Sequence, residues 1–372
     1  MSNWPDGWSR GDQRRGGAGE PTAVLRGNPH EDVRERLRPR TVPSRPPMYS
    51  SRTVHPGRFR RRFMTVLVVL LILIVGGYAY FDSKLHRVDA LPDTEGRPAE
   101  TPGQDWLLVG SDSREGLTSQ QKREFATGDA AGRRTDTMML LHIPSGGGKP
   151  TLVSLPRDSY VPIPGQGRNK LNAAFAFGGP KLLTRTVETV TGIRIDHYLE
   201  VGFGGFVQAV DAVGGVRVCL DEPLEDPKAG IDLKAGCQTL KGGDALGYVR
   251  TRNFAMGDLD RVENQRKFLG ALLDKATGPG VLLNPFRSIP LAQSGVDATA
   301  VDRGDHLHDL LWFAFAMRNV SGGKGVRTTV PVAGTETVPV AGSVVLWDRE
   351  SALTMFNALQ EDRPVPRSVL PD

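Results

Sequence analysis

Residues 63–81 read "FMTVLVVLLILIVGGYAYF", nineteen positions without a charge. As a helix this run is about 28 Å long, close to the hydrocarbon thickness of a bilayer. A core helix of that length carries a polar stripe, and this run has none. Further along, short apolar runs alternate with helical patterns. Strand-like runs lie at 106–111 (WLLVGS), 137–143 (TMMLLHI), 151–156 (TLVSLP), 197–202 (HYLEVG) and 216–220 (VRVCL). Helical patterns cover 179–192, 203–215, 258–277, 303–320 and 351–360. In the third of these, Leu259, Val262, Phe268, Leu269, Leu272 and Leu273 recur at three- and four-residue steps, which gives the helix an inner face. Strands interleaved with helices predict an α/β sandwich around a largely buried sheet. No internal repeat is visible.

Charge changes the picture at the N-terminus. The net charge of +5 conceals fourteen Arg and six acids in residues 1–62, a local +8 that leaves −3 for the rest. This head is rich in Pro, Gly, Arg and Ser and lacks apolar periodicity, so it reads as a disordered basic tail. Solvated cytoplasmic chain accounts for it better than a nucleic-acid-binding arm. Arg58, Arg60, Arg61 and Arg62 directly precede the apolar run, and the positive-inside rule then places the N-terminus in the cytoplasm. The run is long for a cleaved signal peptide and no small-x-small site follows it, so a retained signal anchor at 63–81 is expected. Residues 82–103, polar and Pro-rich, read as a stalk, and 104–372 as one extracytoplasmic domain of a single-pass protein of the cell membrane.

The chain has two cysteines, Cys219 and Cys237. Outside the membrane they are expected to form a disulfide rather than remain two unrelated buried thiols, closing a loop worth about 3 kcal/mol. No histidine stands near either in sequence, which argues against a zinc site or a catalytic thiol. His142, His197, His306 and His308 are scattered without metal spacing and read as structural.

Four charged clusters fall at the ends of predicted strands: Asp112 with Arg114, Arg134 with Asp136, Arg157 with Asp158, and the stretch 247–266. That last stretch, "GYVRTRNFAMGDLDRVENQR", holds Arg250, Arg252, Arg261 and Arg266, with Asp258, Asp260, Asn264 and Gln265 among them. Loops at strand ends are the usual place for α/β active sites, and alignment of the strands brings the clusters to one cleft. Arg250 and Arg252, two apart, share a face if the segment is extended. Guanidinium forks match phosphate oxygens, so Arg134, Arg157, Arg250, Arg252 and Arg261 suit a substrate with several phosphate charges. Asp112 and Asp136 supply hard oxygen ligands for Mg²⁺ or Mn²⁺. Arg266 reads as a solvated helix residue. Phe203 and Phe206 fit core packing and a lipid-lined wall equally well. Neither "GSDS" nor "SGGG" is a Walker A loop or a nucleophile elbow, which excludes P-loop NTPase and serine hydrolase chemistry.

These segments resemble the LytR–CpsA–Psr family of cell-wall glycopolymer ligases. The resemblance rests on "LLVGSDSR", "RRTDTMMLLHI", "TLVSLPRDSYVPIPG", "KLNAAFAFGG", "DHYLEVGFGGFVQAVDAVGGVRV", "LKAGCQTLKGGDALGYVRTR" and "GDLDRVENQRKFL", in family order over about 104–277. It implies a three-layer α/β/α sandwich with a mixed sheet and a tunnel for a polyprenyl chain. The implied activity is transfer of a glycopolymer phosphate from a polyprenyl-pyrophosphate carrier to a peptidoglycan hydroxyl, the muramic acid C6 hydroxyl by resemblance. By position, Asp112 and Asp136 correspond to metal-binding acids. Arg134, Arg157, Arg250, Arg252 and Arg261, with Gln265, correspond to pyrophosphate-binding residues. Asp112, Asp136 and Arg157 are the catalytic candidates, and Asp112 and Asp158 remain alternatives for the proton acceptor. Lys170 and Asn172 match a segment of structural or lid-forming role. Many relatives have Arg-Gln where this chain has Asn264-Gln265, so a phosphate contact is weakened or passes to Arg266. After about residue 280 the match loosens, and no appended C-terminal domain is expected.

Three other functions compete. A hydrolase uses the same site with water as acceptor. A non-catalytic polyprenyl-lipid binder would show no metal-dependent turnover. A transcriptional regulator is disfavoured, because only the tail reaches the cytoplasm and no DNA-reading fold or nucleic-acid partner is indicated there.

Overall fold

A computed structural model of the chain describes residues 56–93, 95–111, 135–251 and, apart from 269, 273, 277 and 283, residues 268–370. The first helix, α1 (Pro56–Lys84), contains the apolar run. None of its apolar run is buried, so by length and composition this helix is able to cross a membrane.

Seven strands form the central sheet: β1 (His86–Val88), β2 (Gln104–Ser111), β3 (Thr135–Ile143), β4 (Thr151–Leu155), β7 (His197–Val201), β12 (Thr299–Asp302) and β13 (Val326–Thr329). Their order is β1-β12-β7-β2-β3-β4-β13. Pairs β1–β12, β2–β7 and β4–β13 are parallel, and the other three are antiparallel. The sheet is mixed, with helices on both faces.

Strand alternation explains the layers. In β2, Leu107 and Val109 point to one core, while Trp106 and Leu108 point to the other. The first core is closed by α2 (Leu171–Thr191) and α7 (Arg349–Gln360), through Leu183, Val187, Met355 and Phe356. The second is closed by α5 (Pro285–Ala298) and α6 (Leu307–Ser321), through Val296, Ala316, Met317 and Val320. A third cluster lies beside the sheet. It joins α3 (Phe203–Ala212) and α4 (Gly242–Arg250) to two ribbons, β8 (Val216–Leu220) with β11 (Gly236–Leu240) and β9 (Leu224–Asp226) with β10 (Ile231–Leu233).

Three details depart from the sequence reading. The segment 82–103 is not a free stalk. It carries β1 at the sheet edge, buries Leu85 and Ala90, and pairs Arg97 with the buried Glu188 (Nη2–Oε1 2.6 Å). Its three-residue strand has no alternation to read. The helix expected at 179–192 begins eight residues earlier and breaks at Gly178–Gly179, where Gly179 has φ 64° and Pro180 restarts the turn. Finally, 216–220 is a strand outside the main sheet. Cys219 stands directly opposite Cys237 in its ribbon, and the two form a disulfide.

Candidate active site

Sheet register decides which strand ends coincide. Ser111 at the end of β2 faces Thr135 at the start of β3. Leu155 at the end of β4 faces Met138, and Val201 at the end of β7 faces Gly110. Asp136, the 157–158 pair and Phe203 therefore all stand at one end of the sheet. From β7 to β4 is three strand spacings, about 14 Å.

Within this edge the charges are bound to one another. Arg157 pairs with Asp136 through Nη1, and its Nε donates to Asp158 Oδ2 at 3.3 Å. Lys170 Nζ lies 2.9 Å from Asp158 Oδ1. Burial alone would push the Asp158 carboxyl up, but Lys170 and Arg157 outweigh it and hold the pKa below the usual 3.8. Burial would likewise lower the Arg157 pKa, and the two carboxylates raise it instead. Arg157 is thus a permanently charged fork anchored at its Nε side.

The backbone around this group is over-determined. A hairpin of β5 (Tyr160–Ile163) and β6 (Gly167–Lys170) returns the chain so that Leu171 N donates to Ser159 O and Asn172 N to Arg157 O (2.9 and 3.1 Å). Lys170 and Asn172 hence tie the start of α2 to the Arg157 loop. From the other side, β15 (Gly342–Trp347), paired antiparallel with β14 (Val332–Val338), supports it, with Val345 N donating to Asp158 O at 2.8 Å. The Trp347 indole N–H donates to the buried Ser159 hydroxyl at 2.8 Å. Ser159 and Trp347 were missed in the sequence. Trp347 lies in the region where the resemblance loosens, and nothing local marks it as a support for residue 158.

Arg250 differs from expectation. It is the last residue of α4 and not part of an extended segment. Its guanidinium carbon lies 5.0 Å from the Phe203 ring centroid. Phe203 opens α3 directly after β7, so this stacking brings Arg250 toward the same sheet end. A cation at a helix C-terminus also meets the negative end of the helix dipole. Phe203 and Phe206 pack with Val207, Leu246 and Val249 between α3 and α4, which is the core-packing alternative. Buried Thr251 donates to Asp226 Oδ2 at 2.6 Å and fixes where the chain leaves α4.

Asp112, Arg114, Arg134, Arg252, Asp258, Asp260, Arg261, Asn264, Gln265 and Arg266 lie outside the described residues. Of the proposed metal donors, Asp136 is described: a carboxylate with a half-exposed side chain, one oxygen held by Arg157. Its hard carboxylate oxygen is of the kind that a divalent cation takes.

The histidines sit elsewhere. His142 bridges Asp105 (3.0 Å) and Asp362 (3.1 Å), His197 pairs with Asp305 (2.6 Å) and stacks on Trp106, and His306 meets Asp82 at 3.2 Å. His197, Asp305 and Asp309 offer ligand atoms within 4.8 Å of one another. Both carboxylates already accept from backbone N–H groups: Asp305 from Tyr198 N and Asp302 N, and Asp309 from His306 N. The group is a set of caps joining β7 to α6.

The LytR_cpsA_psr family profile matches residues 83–338. The chain belongs to the LytR–CpsA–Psr family. It is 52 % identical over 296 residues to the "Probable cell wall biosynthesis protein LcpB" of Corynebacterium glutamicum, covering 79 % of this chain and 70 % of that one. It is 31 % identical over 310 residues to the polyisoprenyl-teichoic acid–peptidoglycan teichoic acid transferase TagU of Oceanobacillus iheyensis, covering 77 % and 88 %. A LytR-Csp2A-Psr enzyme from Actinomyces oris has the same fold, with a TM-score of 0.57 at 24 % identity over 74 % of this chain and 96 % of that one. The family match begins at residue 83, in agreement with β1 being part of the domain, and extends well past residue 280.

Proposed function

We propose that this protein transfers a glycopolymer phosphate from a polyprenyl-pyrophosphate carrier to a peptidoglycan sugar hydroxyl, outside a membrane spanned once by α1. Family membership and the teichoic acid transferase among its relatives support the reaction class. The observation that carries the site is the Asp136–Arg157–Asp158–Lys170 chain of ion pairs at the sheet end toward which Arg250 is stacked.

In this reading Arg157 and Arg250 bind the pyrophosphate from two sides, with Arg134, Arg252, Arg261 and Gln265 completing the cradle. Asp112 and Asp136 would hold Mg²⁺, which supplies charge neutralisation on the phosphate oxygens. The acceptor hydroxyl forms a new O–P bond to the phosphorus bearing the glycopolymer. The P–O bond to polyprenyl phosphate breaks, and that group leaves with the electron pair. Asp158, held ionised between two cations, is a weak base. It positions Arg157, and the hydroxyl proton passes to one of the two carboxylates assigned to this edge, Asp112 or Asp158.

The test uses the full chain in vesicles with a radiolabelled polyprenyl-pyrophosphate glycan, Mg²⁺ and peptidoglycan oligomers. Label moving to the oligomer, and lost in Asp136→Ala and Arg250→Ala, is the expected result. Polyprenyl phosphate released with equal rate in the absence of oligomer would make the protein a hydrolase. Tight lipid binding with no turnover would make it a carrier-binding protein.

A further inference from the structure

Helix α6 is apolar on both sides. Its inner side, Leu310, Phe313, Ala316, Met317 and Val320, packs on the sheet. Its outer side presents His308, Leu311, Trp312, Phe315 and Asn319, spaced i, i+3, i+4, i+7 and i+11 along one stripe. Leu311, Trp312 and Phe315 are 54 %, 65 % and 52 % exposed. Isolated exposed apolar residues need no explanation, but a contiguous Leu-Trp-Phe face on a helix does.

The contacts of α6 with α1 indicate what covers that face. Tyr78, inside the apolar run, has its hydroxyl 3.0 Å from His308 Nδ1. One turn later Asp82 accepts from Leu307 N at 2.9 Å and meets His306. Tyr78 and Asp82 are about 6 Å apart along the helix axis. The first turn of α6 is therefore level with the last apolar turn of α1 instead of standing clear of it. Both ends of α6 also meet the same end of the sheet. Asp305, just before it, bonds to His197 and Tyr198 at the start of β7. Just after it, Val326 N donates to Pro150 O at the start of β4. The helix thus runs across the strands, and its outer stripe faces away from the domain.

We propose that Leu311, Trp312 and Phe315 lie in the headgroup–acyl boundary of the membrane that α1 crosses, making α6 a second, interfacial membrane contact of the domain. The proposal rests on α1 being a membrane span. Indole and phenyl rings are favoured at that boundary, and exposed Arg318 in the last turn adds a cation for anionic headgroups. Two contacts set the tilt of the domain, which a single helix leaves free.

The experiment labels single cysteines with an environment-sensitive fluorophore in the full chain, in vesicles of phosphatidylcholine and phosphatidylglycerol, with the native disulfide intact. The positions are Trp312→Cys, Phe315→Cys, Leu70→Cys in the span, and Ser343→Cys on the exposed β15 end. Expected is quenching at 312 and 315 about threefold stronger by shallow than by deep nitroxide lipids. Position 70 shows the reverse order, and 343 responds to aqueous iodide alone. Positions 312 and 315 matching 343 while 70 stays lipid-quenched overturns the proposal and leaves the span intact. Protection from iodide without lipid quenching points to a protein partner or a second copy and also overturns it. Absence of lipid quenching at 70 removes the span itself, and the proposal with it.

Discussion

Arg157 holds Asp136 with one nitrogen and Asp158 with another, in the fixed planar fork of a guanidinium that an ammonium lacks. Arg157→Lys preserves charge but loses the fork, so transfer is expected to fall by about 10²-fold with little change in melting temperature. Steady-state rates with the labelled lipid, next to a thermal melt, separate the two effects. Trp347→Phe acts one step further out. Losing the indole donor to buried Ser159 is expected to cost about 1 kcal/mol in denaturant unfolding. His142 gives a pH signature. Burial would lower its pKa, but Asp105 and Asp362 raise it above 6.5. A raised folded pKa contributes stability that is complete below pH 6.5 and disappears as pH rises through the folded value. The melting temperature should fall as pH climbs above 6.5, and His142→Gln should flatten that slope. An unchanged slope in the variant would clear His142 of any part in it.

Among the elements, the central strands β2, β3, β4 and β7 were legible because both sheet faces are covered, which leaves nearly continuous apolar runs in the sequence. The Trp106–Val109 stretch feeds both cores in turn. The short strands β1, β5, β6, β9, β10, β12 and β13 were not legible, since three or four residues carry too little periodicity. Nor was α5, whose Pro290 disguises a helix capped by Asn284 at its start. Arg250 was misplaced for a related reason: Gly242 and Gly243 open α4 and weaken its helical pattern. Close packing between elements leaves a different mark. A Cβ on Gly205 of α3 would stand 2.2 Å from the carbonyl oxygen of Ala298, where α5 ends. Backbone cannot step aside cheaply, so Gly205→Ala is expected to cost about 1–3 kcal/mol, read from the urea midpoint.

At the scale of the whole molecule, the membrane-proximal segment and the domain are one structure. Glu188 is buried against Arg97 and also accepts from Ile195 N at 3.0 Å. Arg97→Ala leaves that carboxylate unpaired in the core and is expected to cost about 3–5 kcal/mol. A chain starting at residue 104 should melt lower or not fold, while one starting at 82 melts cooperatively. Equal melts for the two would return 82–103 to the role of a stalk. The Asp136–Arg157 end is also set apart from α6. The strands between them, five residues in β4 and β7, put the site about 17 Å from the end where α6 lies.

The sequence by itself determined the class of fold, the apolar helix of membrane length, the cysteine pair and the family. Those rest on composition, on periodicity and on residues adjacent in the chain, which no folding step is needed to bring together. Tertiary structure alone decided that Asp136, Arg157, Asp158 and Lys170 form one chain of charges, because that depends on the register of β2, β3 and β4 and on the return of the β5–β6 hairpin. It alone decided that Arg250 rests on Phe203, and that the second apolar face of α6 is level with the end of α1. Each joins residues tens to hundreds of positions apart, and such contacts follow from packing that local pattern does not encode.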